Sequence, residues 1–461
     1  MTIKTEATRA VNTSAVFGTV LVAVFVSNLD LFVVNVAMPE IARDFGGTSL
    51  VTLSWLLNAY AIAFAALLVV FGRLADRSGH RRGFIAGIVV FTVGSLLCAV
   101  APSVAFLIAA RVVQAAGAAA LLPTSLALLL AVTPLERRAG AVRAWSASGG
   151  VAAALGPVVG GLLVELDWRW IFVINVPVGV AALLMSRRVL PEIRGEKTGV
   201  RPDLLGAALL TVAVGTLALG LVRSNDWGWT SPQVVGSFAV TLVLGTWFLI
   251  RSARHPSPVV ELPLLRTPQF GPATIAMLLF SVAFSAMVLS VALWAQNGWG
   301  YSALRAGLAL APGPLMVPLL AIAAGPLVRR FGAGPIAAVG NVALAGGLAL
   351  WILNVGQTPR YAADLLPGLI LVGIGVGLAL PTLMAVGSSA LPPDRLATGS
   401  GILNTGRQVG AVVGVALLVS VIGSPHTRAE TVDAFQSGWT ATIVVCLLGA
   451  VTALFIRRPQ Q

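Results

Sequence analysis

Gly72-Arg73-Leu74-Ala75-Asp76-Arg77-Ser78-Gly79-His80-Arg81-Arg82 joins two long apolar runs, and Gly325-Pro326-Leu327-Val328-Arg329-Arg330-Phe331-Gly332 joins two more. The stretches align at Gly72/Gly325, Leu74/Leu327, Arg77/Arg330 and Gly79/Gly332. An echo of this kind predicts a duplicated helical bundle whose halves run parallel to each other. The flanking runs fix the medium. Each is about 20 residues of mainly apolar side chains, the length that spans a bilayer as a helix. The whole chain of 461 residues is 57% hydrophobic and 10% charged, with a mean hydropathy of +0.92, far outside the range of a water-soluble domain. The runs are continuous, without the alternation over about 10 residues that a membrane β-barrel needs. The fold class is therefore all-α and integral to the membrane.

Working outward, spans are predicted at about 14–38, 50–71, 84–101, 104–132, 144–164, 169–190, 204–222, 233–250, 270–295, 305–327, 334–354, 363–386, 399–423 and 438–456. Fourteen spans put both termini on one side. On that side fall 22 of the 30 Lys and Arg residues, from Lys4, Arg9, Arg73 and Arg77 to Arg395, Arg457 and Arg458. Arg43, Arg169, Arg223, Arg305, Arg360 and Arg428 fall on the other, and Arg111 and Arg407 remain inside spans. By the positive-inside rule the termini are cytoplasmic, in a bacterial inner membrane. Trp168, Trp170, Trp227, Trp229, Trp299, Tyr301 and Trp439 cluster at the predicted outer ends, where amphipathic rings suit the headgroup layer.

Several function classes lose support. Cys98 and Cys446 lie in apolar runs and His80, His255 and His426 in loops, so neither a disulfide framework nor a metal site is indicated. There is no G-x-x-x-x-G-K-[ST] loop for ATP, and no cofactor motif. The net charge of +13 is scattered over short joints, which argues against a nucleic-acid partner. An ion gradient remains as the energy source for moving small molecules through lipid.

The Gly72–Arg82 loop resembles the signature loop of the major facilitator superfamily. Further stretches resemble its fourteen-span drug:proton antiporter branch: Leu29-Asp30-Leu31-Phe32-Val33-Val34-Asn35-Val36-Ala37-Met38-Pro39, Arg111-Val112-Val113-Gln114, Gly156-Pro157-Val158-Val159-Gly160-Gly161, Trp168 to Pro177, and Gly401 to Gly410. The resemblance runs almost end to end. It implies an N-terminal six-helix bundle (1–190), two linker spans with their joints (191–269) and a C-terminal six-helix bundle (270–461), working as a monomer that exports compounds against inward proton flow. Two departures stand out. Ala115 replaces the glycine usual after Arg-x-x-Gln, with Gly117 following, and Arg329 stands where the first loop has Asp76.

Asp30 is the one acid placed well inside the hydrocarbon, so it must pair, protonate or face water. It lies eight residues before the outer end of its span, and Arg111 seven residues after the outer start of the fourth. At 1.5 Å per residue both sit about 10–12 Å below the outer surface, which predicts an Asp30–Arg111 pair that either couples protons or merely locks two helices. Gly156, Pro157, Gly160 and Gly161 allow close helix approach and a bend; the resemblance links them to antiport. Gly72 and Gly79, with Asp76, Arg77, Arg81 and Arg82 between and after them, read as a cytoplasmic gate, or simply a solvated charge run. Candidate substrate contacts are Asn28, Asn35, Trp55, Asn58, Gln114, Met287, Trp294, Gln296, Asn404, Arg407 and Gln408, since amides and aromatics on an apolar wall suit varied organic solutes. The alternative is a carrier of an endogenous metabolite with different ion coupling.

Overall fold

The computed structural model describes residues 13–134, 137–193, 203–389, 396–423, 425 and 427–457. Lys4, Arg9, Arg194, Lys197, Arg201, Arg395, Arg458 and His426, used above for orientation or for excluding a metal, lie outside them, as does the side chain of Arg143. Fourteen helices are long and apolar enough to cross a membrane, and no strand occurs among the described residues. They are α1 (Thr13–Asp44), α2 (Leu50–Ser78), α3 (His80–Ala99), α4 (Val104–Val132), α5 (Arg138–Leu166), α6 (Trp170–Val189) and α7 (Leu204–Trp227). There follow α8 (Pro232–Arg254), α9 (Phe270–Gly298), α10 (Ala303–Leu310 continued by Pro312–Phe331), α11 (Ala333–Asn354), α12 (Tyr361–Val386), α13 (Leu396–Ile422) and α14 (Arg428–Leu454).

Most sequence-predicted ends agree to within a few residues; α14 begins ten residues before its predicted start, its first turn held by a Thr427/Glu430 capping box. Local chemistry explains the breaks. Ser54 interrupts α2, its hydroxyl turned back onto the Val51 carbonyl at 2.7 Å. Ala311 precedes Pro312, which has no N–H to donate, and α10 re-starts there.

Helix packing is repeated. In the first six spans α1 packs on α4, α5 and α6, α4 on α2 and α3, and α3 on α6; eight spans later α9 packs on α12, α13 and α14, α12 on α10 and α11, and α11 on α14. The two sets meet along α2–α13 and α5–α10, which the same repeat relates. Gly79 and Gly332 both have left-handed φ values, +109° and +93°, and each joins two helices end to end. Without a side chain, glycine takes that conformation freely, so the aligned sequence positions are also equivalent in the backbone.

The spans α7 and α8 sit outside this ring of contacts. α7 lies against α2 and α13, with Ser224 Oγ 2.8 Å from Ser420 Oγ and Asn225 Nδ2 donating to the Ser420 carbonyl at 2.5 Å. α8 packs chiefly on α7, with Leu242, Val243, Trp247 and Leu249 exposed toward the lipid. Among the expected headgroup aromatics, only Trp170, Trp227 and Trp229 are exposed. Trp168, Trp299, Tyr301 and Trp439 are buried, each with a local partner: the indoles of Trp168, Trp299 and Trp439 donate to Asp44 Oδ2, the Gly356 carbonyl and Ser290 Oγ. Hydropathy locates a span's end but not which way a ring at that end turns.

Candidate functional site

Asp30 is 2% exposed and Arg111 wholly buried, on helices that pack directly on each other. Arg111 Nη1 pairs with Asp30 Oδ2. A buried ion pair recovers its desolvation cost only when its remaining donors and acceptors are also satisfied, and here five helices contribute to that. Asp30 Oδ1 accepts from Gln114 Nε2 at 2.8 Å and from Asn175 Nδ2 at 2.9 Å. Gln114 Nε2 also donates to Ser95 Oγ at 2.7 Å, and its Oε1 accepts from Arg111 Nη1 at 2.6 Å. Arg111 Nε donates to the Leu56 carbonyl at 3.3 Å, leaving Nη2 without a partner. The guanidinium lies 4.2 Å from the Tyr60 ring centroid and 5.9 Å from that of Phe172, within cation–π range. Thus α1, α2, α3, α4 and α6 meet around one buried ion pair.

Ser95 and Asn175 have no counterpart among the sequence candidates. Asn175 falls in the Trp168–Pro177 stretch, where the break of α6 at Ile174 sets it at a helix start facing α1; uncharged Ser95 gave no signal.

The glycines of α5 face two ways. A Cβ on Gly156 would stand 2.5 Å from Phe32 Cβ, and one on Gly160 3.1–3.2 Å from Val33 atoms, both on α1. A Cβ on Gly161 would stand 2.6 Å from the Ala303 carbonyl oxygen and Leu304 Cα on α10, and one on Gly307 2.0 Å from the Pro157 carbonyl oxygen. One small-residue segment therefore binds α5 to the Asp30 helix and to the opposite half. Two more bonds close the predicted outer end of this seam: Gln296 Nε2 donates to the Val36 carbonyl at 3.0 Å and Ser302 Oγ to Glu165 at 3.0 Å.

The other candidates separate. Asn28 and Arg407 line one narrow cleft with Val24, Ser27, Leu31, Phe64, Ala118, Leu121 and Leu122. Gln114 belongs to the Asp30 cluster, not to a substrate wall. Trp294 is in an aromatic core of the second half, its ring centroid 5.2 Å from Phe435 and 5.7 Å from Trp439. Asn35 donates back to the Leu31 carbonyl of its own helix. Trp55 and Met287 pack in the hydrophobic core; Asn58, Asn404 and Gln408 are buried, Asn58 with neither amide atom paired.

The stretch Gly72–Arg82, expected as a loop, is helical on both sides of Gly79, because that glycine alone makes the turn; within it Gly72 packs against Pro123. Asp76 contacts His80 Nε2 at 3.3 Å, Arg81 donates to the Arg187 carbonyl at 2.6 Å, and Arg82 lies 3.8 Å from Glu192. Arg73 reaches Ser257, the Pro258 carbonyl at 2.8 Å and Glu261 at 3.9 Å. The stretch is thus tied to the end of α6 and to the joint after α8; among the described residues no hydrogen bond or ion pair joins Arg77 to either. Among the described residues no group of three or more His, Cys, Asp and Glu could hold a metal ion.

With this geometry in view, the likenesses to known proteins become informative. The Major Facilitator Superfamily profile matches residues 20–415. A probable actinorhodin transporter of Streptomyces coelicolor is 35% identical over 417 residues, covering 88% of this chain and 71% of that protein. A methylenomycin A resistance protein of the same organism is 32% identical over 439 residues, covering 94% and 90%. The crystal structure of a peptide transporter in complex with sulfate superposes with a TM-score of 0.70 at 15% identity, covering 96% and 94%, a likeness of fold alone. Fourteen apolar spans, the repeated packing and the matched profile agree: this multi-pass membrane protein belongs to the major facilitator superfamily, a family of transporters.

Proposed function

We propose that the chain exports small, largely apolar organic compounds, drugs or antibiotics, in exchange for protons by alternating access. The observation that carries this reading is the buried Asp30 cluster, on the helix against which Gly156 and Gly160 pack, in a chain whose relatives are named for antibiotic transport and resistance. Ionised, Asp30 holds α1 to α4 through Arg111 and to α6 through Asn175. A proton from outside removes that charge and frees Arg111 Nη1; loss of the proton to the inside restores the pair. An intramembrane carboxylate is costly to keep and suits such a relay. Gly161 and Gly307 form the seam that opens and closes at the outer end, and the Gly72–Arg82 stretch, with Asp76, Arg77, Arg81 and Arg82, serves the cytoplasmic side. Both termini face the cytoplasm of a bacterial cell, and the monomer is the working unit.

The test is proton movement in everted vesicles carrying an imposed pH gradient. Lipophilic antibiotics should collapse the gradient in vesicles containing the native chain and leave control vesicles unchanged. Compound movement without any proton flux would refute the coupling.

A further inference from the structure

We propose that Arg407 anchors an acidic group on the exported compound, so that the preferred cargo is an amphipathic organic acid with an apolar body and one carboxylate-like anion. This rests on the exporter reading above and narrows its cargo. Arg407 extends from α13 into the cavity whose other lining residues, Val24, Ser27, Asn28 and Leu31 on α1, Phe64 on α2, and Ala118, Leu121 and Leu122 on α4, all come from the opposite half. None of them is acidic. Arg407 Nε is buried without a hydrogen-bond partner, and none of the ion pairs among the described residues includes Arg407.

The nearest acid in sequence on the facing helix, Asp30, is already occupied by Arg111, Gln114 and Asn175. A guanidinium whose Nε is shut off from water with no acceptor and no counter-charge is an expensive arrangement. It persists where a ligand supplies the missing anion, and a planar guanidinium matches a carboxylate through two parallel N–H···O bonds. The wall around it suits the remainder of such a molecule: apart from Ser27 and Asn28 it is aliphatic or aromatic, and Asn28 has spent one amide hydrogen on the Val24 carbonyl.

The position also links cargo to the proton site. Phe64, in the cavity wall, stacks on Tyr60 with ring centroids 6.2 Å apart, and Tyr60 faces Arg111. Asn28 and Asp30 are two residues apart on α1. An acid docked on Arg407 therefore binds one half to the other beside the helix that carries the proton.

The experiment measures the unfolding temperature of the full chain, purified in detergent at neutral pH. The probes are three aromatic scaffolds of one, two and three fused rings, each prepared as carboxylate, primary carboxamide and methylammonium. The expected result is a larger upward shift from the carboxylate than from its own amide on at least one scaffold. That difference should vanish in Arg407→Gln and persist in part in Arg407→Lys, which keeps the charge but loses the fork. The inference is overturned if no carboxylate exceeds its amide on any scaffold, if the ammonium forms stabilise most, or if Arg407→Gln retains the acid preference. The native chain alone decides the first two outcomes, so a poorly folding variant does not obscure them. No gradient is present, so loss of proton coupling would leave an acid preference standing, and loss of the preference would leave the exporter reading intact.

Discussion

Gly161→Ala should shift the protein away from the conformation in which its outer end is closed. In that conformation the new methyl carbon would stand 2.6 Å from the Ala303 carbonyl oxygen and from Leu304 Cα. Both obstacles are backbone, so no side-chain rotation relieves them and the α5–α10 seam must part. Overpacking of this kind costs about 1–3 kcal/mol, and because the cost falls on the closed seam alone it lowers the closed-to-open ratio by roughly 5- to 150-fold. Glu165 and Ser302, joined at 3.0 Å across the seam, report on closure. In a Glu165→Cys/Ser302→Cys background, oxidative cross-linking should slow several-fold when Gly161→Ala is added; the native Cys98 and Cys446 are buried. Gly156→Ala is the control. Its methyl meets Phe32 Cβ at 2.5 Å inside one half, so it strains both conformations and leaves the cross-linking rate near the parent's. Equal rates for the parent and Gly161→Ala would refute the assignment of this seam as the moving one.

Asn175→Ala removes one of the donors to Asp30 Oδ1 and leaves a buried carboxylate short of a bond, so the purified protein should lose about 1–3 kcal/mol of stability; an unchanged unfolding temperature would show that the bond carries no weight. Gly79→Ala forces a side chain onto a φ of +109° and into Glu192, 1.9 Å from the added carbon, whereas Gly325→Ala meets nothing within 4 Å. Thermal unfolding should separate them, with the first destabilised by about 1–3 kcal/mol and the second within about 0.5 kcal/mol of the parent. Trp439→Ala empties the centre of the Trp294, Trp351 and Phe435 cluster and should cost about 3–5 kcal/mol, while Trp229→Ala, at an exposed end, should be nearly neutral.

The spans were legible because a bilayer demands length and apolarity, and both are written directly in the chain. The Asp30–Arg111 contact was legible for a related reason: depth follows from residue count at a fixed rise, and two opposite charges at one depth in lipid have few alternatives. Rotation about a helix axis was not legible. α9 is apolar on every face, so nothing in its sequence says that Trp294 turns into the Phe435–Trp439 core and not toward the cavity. The same ambiguity placed Gln114 among substrate contacts, although it binds Asp30, and hid Ser95 altogether. Asn175 depended on the break in α6 at Ile174, where Pro177 has no N–H to donate to the Val173 carbonyl; the proline marks a helix start but does not say which way Asn175 faces. The cytoplasmic turn was legible in conformation, since Gly79 and Gly332 share a left-handed φ, but its attachment to the end of α6 required tertiary structure.

The most direct test of proton coupling is Asp30→Asn in proteoliposomes, assayed in two modes with one transported compound: accumulation driven by a pH gradient, and exchange of labelled for unlabelled compound with no gradient. The amide keeps the shape and can still accept from Gln114 and Asn175, but it cannot carry a proton through the cycle. Gradient-driven accumulation should be lost while exchange continues near the parent's rate. If accumulation persists, the proton travels by another group; if both modes fail together, Asp30 holds the helices in place and does not couple them to the gradient.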